Sequence, residues 1–205
     1  MGLYNKIGGY SGYDKKNKER EALDYYSTPT EEVTNILNAI KLDLKDQLIL
    51  EPCCGGGHMV QGILNYYKDS NIVATDIQDR GNVTDIDFMT GKEFDFLSDE
   101  YPCVENIDYI IMNPPYSVIE PFVRKSLAVA KKGVLMLGRL QFLEGKARYE
   151  TILKDYPPTD IYIYVDRIAC YKNGDVKDKV ASAQAYAWFY WDFENFNNKK
   201  ETLCH

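Results

Sequence analysis

The stretch Asn113-Pro114-Pro115-Tyr116 follows an apolar run, "IDYIIM", that reads as a buried strand. A residue before proline is pushed out of the helical region, and two successive prolines fix two successive φ angles. A carbonyl in so rigid a corner has no local N–H to satisfy it. The amide oxygen of Asn113 and the carbonyl oxygen of Pro114 therefore form two fixed acceptors, and an NH₂ group has two donors to give them. An amino group conjugated to a ring is a poor nucleophile because its lone pair is delocalised. Two acceptors outside the ring plane favour a tetrahedral nitrogen and aim its lone pair at an electrophilic carbon. This is catalysis by positioning and electrostatic preorganisation, with no strong base. Tyr116 adds an aromatic face on which a planar base could stack, which offsets part of the cost of drawing that base out of a duplex.

A second chemical stretch is "LILEPCCGGGHMV", which reads as strand, acidic residue, glycine loop, helix. Ligands of open parallel sheets bind at the carboxyl ends of the strands. Gly55, Gly56 and Gly57 let the backbone turn tightly and approach a ligand closely. Asp76, with Ile77 after it, ends the run "NIVATDI", about 20 residues on, where a carboxylate would accept from ribose hydroxyls. A dinucleotide fingerprint would fall on Gly55, Gly57 and Val60, so its third glycine is absent. Glu51 and Pro52 also put an acid beside the turn, which repels a pyrophosphate and suits a cation. S-adenosylmethionine carries a sulfonium, an ammonium and a ribose but no phosphate, and it fits these residues better than NAD does. Further on, "IDF" (86–88) stands where the third strand should end. Asp87 could accept from an adenine amino group and Phe88 could pack on its ring, with Asp85 as a competing carboxylate.

The elements that must position these groups can be read from periodicity. Residues 1–27 are polar and tyrosine-rich and read as an arm. In "STPTEEVTNILNAI", Thr28 is the expected N-cap, Pro29 the first helical residue, and Glu31 the partner in a capping box. Val33, Ile36, Leu37 and Ile40 mark the buried face of that helix. Strands then alternate with helices. "QLILE", "NIVATDI", "IDYIIMN", "GVLMLGRL", "DIYIYV" and "AQAYAWFYWDF" are strands. "GHMVQGILNYYK", "VIEPFVRKSLAVAKK" and "EGKARYETILKDY" are helices. Continuous apolar strands between helices predict a mostly parallel sheet covered on both faces. The segment 172–181, "KNGDVKDKVA", reads as a polar loop. Residues 28–205 form one expected domain.

Composition agrees with a single globular domain: 205 residues, 45% hydrophobic and 27% charged. No apolar run approaches the roughly 20 residues that span a bilayer. The first residues lack the apolar core of a signal peptide, so a cytoplasmic location is expected. Five cysteines without a CxxC pair, and only two histidines, His58 and His205, predict neither a disulfide framework nor a metal site. The net charge of −7 argues against non-specific coating of nucleic acid. Seven cations do concentrate in one stretch: Arg124, Lys125, Lys131, Lys132, Arg139, Lys146 and Arg148. Solvated helix faces and a local nucleic-acid rim are both open readings of that stretch.

With these residues in view, the chain resembles the S-adenosylmethionine-dependent amino-methyltransferases, and among them the adenine-specific DNA methyltransferases. "EPCCGGGHM" is similar to their cofactor loop, with Glu51, Pro52, Gly55 and Gly57 at its fixed positions and Met59 where an aromatic is common. "NPPY" is their catalytic motif as written, carried by Asn113, Pro114, Pro115 and Tyr116. "YYSTP" resembles the segment that helps to enclose the methionine end of the cofactor, which implies Tyr26, Thr28 and Pro29. The resemblance covers roughly residues 25–191 and implies a Rossmann-like class I methyltransferase fold, with a mostly parallel seven-stranded sheet and helices on both faces. It implies methyl transfer to the exocyclic amino group of adenine in DNA. RNA adenine and protein glutamine methyltransferases share the motif. A separate target-recognition domain is missing from the pattern, which implies loose specificity or a partner protein that supplies recognition.

Overall fold

The computed structural model describes residues 26–102, 104–166, 168–172, 179–181 and 184–195. Of the expected arm, 1–25 lie outside the described residues. Tyr26–Ser27 form a short strand, β1.

A seven-stranded sheet carries the fold. Its strands are β2 (Leu48–Glu51), β3 (Asn71–Asp76), β4 (Met89–Thr90), β5 (Tyr109–Met112), β6 (Gly133–Arg139), β7 (Asp160–Ile163) and β10 (Tyr186–Asp192), in the order β4-β3-β2-β5-β6-β10-β7. Six run parallel, and β10 alone is reversed between β6 and β7. The expected mostly parallel, doubly covered sheet is therefore the one found.

Strand side chains alternate between two cores, as the two-residue period requires. Ile49, Ile111, Leu135, Leu137 and Trp188 face helices α1 (Thr30–Ile40) and α2 (His58–Tyr66). Leu50, Ile110, Met112, Val134, Met136 and Phe189 face α3 (Ile119–Val129) and the turn that holds Ile152 and Leu153. Pro121 is tolerated as the third residue of α3, because first-turn N–H groups have no helical acceptor. The tryptophans of β10 are fully buried, and each indole N–H finds an oxygen: Trp188 on Tyr164 Oη at 2.7 Å, Trp191 on the Tyr156 carbonyl at 2.9 Å. α1 and α2 lie so close at Gly62 that a Cβ there would stand 2.5 Å from Val33 Cβ and 2.7 Å from the Thr30 carbonyl.

Four expectations change. Thr28 does not cap α1: Pro29 holds the cap position with no side-chain cap bond, so Glu31 completes no capping box. The Thr28 hydroxyl is used elsewhere, as shown below. The helix read over 144–156 is a single α-turn, Lys146–Arg148, followed by a π-helix over Tyr149–Leu153. Residues 86–88 precede the third parallel strand, Met89–Thr90, and do not end it. The segment 172–181 is not all loop. Ala169–Lys172 (β8) and Lys179–Ala181 (β9) pair antiparallel, and β8 also pairs with β1. That second sheet joins chain segments far apart in sequence, so local composition carries no sign of it.

Candidate functional site

From β2 the chain winds outward through β3 to β4, then returns and winds the other way through β5 and β6. The switch lies between β2 and β5, and at the carboxyl ends of such strands a crevice opens. Glu51 is the last residue of β2, Asp76 the last of β3, and Asn113 the first after β5. All three line one cleft of about 870 Å³, its open mouth included.

The residues on either side of the glycine loop form the floor, and the loop shapes it. Gly55 and Gly57 have φ of 54° and 85°, the left-handed region where side chains are strained. A Cβ at Gly57 would also stand 2.3 Å from Phe88 Cζ, so the loop and the Phe88 ring need a glycine there. The turn is locked to β3. The Cys54 N–H donates to the Thr75 carbonyl at 2.9 Å, and the Gly55 N–H donates to Asp76 Oδ2 at 2.9 Å. The Gln78 N–H donates to Asp76 Oδ1 at 2.9 Å. Both Asp76 oxygens thus accept backbone protons, and the carboxylate lines the cleft.

Three buried polar atoms without a hydrogen-bond partner belong to residues that line this same cleft: Glu51 Oε2, Ser27 Oγ and His58 Nδ1. Leaving such atoms unpaired is costly. Three at one cleft describe a surface shaped for a polar ligand. Glu51 is 2% exposed. Burial, followed by the nearby Asp76 carboxylate, pushes its carboxyl well above the ordinary range. Asp76 is raised as well, by burial, against the backbone N–H groups and Arg80 that favour its ionised form. Burial lowers the His58 imidazole. The floor is therefore an electronegative pocket that a cation would relieve and a phosphate would not.

The opposite wall is the Asn-Pro-Pro-Tyr corner. Asn113 Nδ2 donates to the Tyr26 carbonyl and to Thr28 Oγ1, each at 3.1 Å. Both amide protons are thereby taken, and Oδ1 is the atom left for a ligand. The Pro115 carbonyl accepts from the Val118 N–H at 3.1 Å, whereas among the described residues nothing donates to the Pro114 carbonyl. Beyond it, Tyr116 Oη shares a 2.6 Å hydrogen bond with Tyr186 Oη, and the Tyr26 ring lies 6.3 Å from the Tyr116 ring.

Of the residues expected to form the site, Tyr26, Thr28, Glu51, Pro52, Asp76, Ile77, Asn113, Pro114, Pro115 and Tyr116 line the cleft. Pro29, Gly55 and Gly57 do not line it; they shape the segments that do. Asp87 is exposed and Phe88 packs behind the loop, so neither is at the cleft. Asp95 and Phe96 line it instead. Between β3 and β5 the sequence holds two Asp-Phe pairs, at 87–88 and 95–96, and the first stands nearer the expected strand end. Strand β4 follows that first pair immediately, and the chain re-enters the cleft only through the second. Ser27, Cys53, Cys54, His58, Arg80 and Phe122 also line the cleft and carried no spacing signal.

The basic stretch does not form one rim. Lys131 and Lys132 precede β6, at the edge of the sheet away from the cleft, and Lys132 pairs with Asp108 at 3.5 Å. Lys125 donates to the Ser98 carbonyl at 2.9 Å. Arg148 donates to the carbonyls of Gln141, Phe142 and Glu144. The Arg139 guanidinium lies 4.0 Å from the centroid of the Tyr116 ring. Among the described residues no cluster of three His, Cys, Asp or Glu is placed to hold a metal, and no helix is long and apolar enough to cross a membrane.

Solved structures of the same architecture include a Listeria monocytogenes protein assigned as a class I S-adenosylmethionine-dependent methyltransferase, with TM-score 0.54 and 12% identity over 80% of this chain and 58% of that one. A Vibrio vulnificus protein assigned as the modification subunit of a type I restriction enzyme gives TM-score 0.54 and 12% identity over 86% and 47%. A Klebsiella pneumoniae protein assigned as an O-methyltransferase gives TM-score 0.53 and 11% identity over 92% and 94%. The chain thus spans about half the length of the first two. Neither a protein-family model nor a curated protein sequence matches it. These likenesses establish the fold: a Rossmann-like class I methyltransferase fold.

Proposed function

We propose that this chain is an S-adenosylmethionine-dependent methyltransferase acting on the exocyclic amino group of adenine in DNA. One observation carries the reading: the Asn113 amide is pinned by two hydrogen bonds so that its oxygen, beside the unclaimed Pro114 carbonyl, faces a cleft whose floor is acidic. The floor fits the donor. The orphaned Glu51 oxygen suits a cation, and the Asp76 carboxylate at the cleft suits ribose hydroxyls. When bound, the donor supplies a methyl group on a sulfonium sulfur, which leaves as a neutral thioether.

The chain's own residues then handle the acceptor. Asn113 Oδ1 and the Pro114 carbonyl accept the two amino protons and turn the nitrogen lone pair toward the methyl carbon. Attack by that lone pair would form the C–N bond while the donor's C–S bond broke with its electrons left on sulfur. The nitrogen, now cationic, loses one proton to water. Neither acceptor needs to be a strong base, because the product nitrogen is acidic. The proposal includes a partner protein that supplies duplex recognition; the Vibrio neighbour is itself assigned as a subunit. The arm and the one-domain organisation over 28–205 belong to the same proposal.

The test is incubation with methyl-labelled donor and separate pools of DNA, RNA and protein. Label in DNA, at the adenine amino group, is expected. Label in RNA or in protein glutamine would reassign the acceptor, and label in none would end the methyltransferase reading. Asn113→Ala should bind donor nearly as the parent does and transfer about 10²–10³-fold more slowly, by analogy with a lost preorganised oxyanion contact.

A further inference from the structure

The first turn of α2 gathers side chains from three parts of the chain. Thr30 Oγ1 donates to the His58 carbonyl at 3.5 Å, which ties the start of α1 to the start of α2. Ser27 ends β1 just before that start. The Val60 N–H donates to the Glu51 carboxyl, which ties the end of β2 to the same turn. These ties bring the three orphaned atoms, Ser27 Oγ, Glu51 Oε2 and His58 Nδ1, to one cleft. Ser27 is 4% and Glu51 2% exposed, so bulk water does not serve them. The surrounding protein offers none of the three a partner, and a buried polar atom left so is costly. The remaining source of partners is whatever fills the cleft. Their chemistry divides in two. An ionised carboxyl only accepts, and calls for a cationic donor. A hydroxyl, and an imidazole kept neutral by burial, can each donate one proton, and suit an anion. The helix adds to the second half. Its cap residue, Gly57, makes no side-chain cap bond, and its first turn holds no acidic residue. The positive end of α2 therefore meets no anion from its own helix. An acceptor for an ammonium beside donors for a carboxylate describes the two halves of an α-amino-acid zwitterion.

We propose that Ser27, Glu51 and His58 form an amino-acid clamp at the first turn of α2: Glu51 Oε2 accepts from an ammonium, while Ser27 Oγ and His58 Nδ1 donate to the carboxylate beside it. This inference rests on the donor reading above and assigns the amino-acid end of S-adenosylmethionine to named side chains. It makes Ser27 and His58 specificity-determining residues. A donor without the carboxylate leaves both of their buried protons unpaired, so the cleft selects against it. A phosphate satisfies the donors alone and sets a second negative charge against Glu51.

The test measures binding without transfer. Titration calorimetry compares three ligands: S-adenosylmethionine; its decarboxylated form, which keeps the ammonium; and methylthioadenosine, which keeps neither group. His58→Ala and Ser27→Ala should each weaken S-adenosylmethionine about 10-fold, the worth of one hydrogen bond to a charged group, and leave the other two ligands within about twofold. His58→Asn, whose amide N–H can take the place of Nδ1–H, should recover most of the affinity. Ser27→Ala removes a single oxygen and decides the matter where His58→Ala folds poorly. Glu51→Gln should weaken both ammonium-bearing ligands and spare methylthioadenosine. No loss in the Ser27 and His58 variants, or a loss that is equal with the decarboxylated ligand, would overturn the clamp. If the parent binds methylthioadenosine as tightly as S-adenosylmethionine, the clamp falls and the donor reading stands. If the parent binds none of the three, both fall.

Discussion

Glu51 shows how one residue couples the site to solution conditions. Its carboxyl is buried, lacks a partner at Oε2 and is raised well above the ordinary range, first by desolvation and then by Asp76. A ligand cation reverses both effects, because an opposite charge nearby favours the ionised form. Binding of S-adenosylmethionine should therefore release a proton at pH values between the ordinary glutamate value, about 4.3, and the raised value in the free protein. Calorimetry in two buffers of different ionisation enthalpy reads that release directly. Glu51→Gln should abolish it, and equal proton release by both proteins would remove Glu51 from the donor site. The acid before the glycine loop and the Asn-Pro-Pro-Tyr corner were legible in the sequence because each is a local backbone device with its chemistry attached. Ser27 and His58 were not, because an orphaned atom is a property of packing. Asp95 was missed in favour of Asp87 because two equivalent pairs competed and only the path of the chain decides between them.

At the scale of elements, the segment β1–Thr28 works as a brace for Asn113. Thr28→Val keeps the side chain's shape and removes the hydroxyl that accepts from Asn113 Nδ2. With one of its two tethers gone, the amide can rotate out of register. Transfer should slow by about 2–10-fold, the range of one hydrogen bond, while donor affinity stays nearly constant. Single-turnover rates against donor titrations separate the two, and an equal fall in both would make Thr28 a donor contact only. The same threonine explains a misreading: next to Pro29 it has every local mark of an N-cap, and a contact 85 residues away outweighs that preference. The α1–α2 contact gives a purely structural counterpart. Gly62→Ala would push a methyl group against Val33 and the Thr30 carbonyl. Overpacking of this kind costs about 1–3 kcal/mol, and the denaturation midpoint should fall with little change in its slope. An unchanged midpoint would mean the two helices have room to separate.

For the whole molecule, the raised Glu51 and Asp76 set how stability runs with pH. A group whose pKa is higher in the folded than in the unfolded chain adds stability that is fully present below its unfolded value. That stability is lost as pH rises through its folded value. The free protein should therefore lose stability from about pH 4 upward until both carboxyls are ionised, and Glu51→Gln should flatten that slope. Melting temperatures across this window, with and without donor, check the sign; a rise in the window would show that other groups dominate. Six strands of the sheet were legible because continuous apolar runs and helical stripes are local signals that agree with one another; the seventh, Met89–Thr90, is two residues long, and a count of seven came only from the family resemblance. The second sheet was not, since it is made by Tyr26 meeting Lys172 and Ser27 meeting Tyr171. That pairing also fixes a sequence of events during synthesis. Asn113 is braced by the backbone of Tyr26, and Tyr26 is itself held by a strand that the ribosome delivers near the end of the described chain. A nascent chain can complete its parallel core through β6 and still have an unbraced amide. On the proposed reading, the Asn113 corner is therefore completed only when Tyr26–Ser27 pair with Tyr171–Lys172.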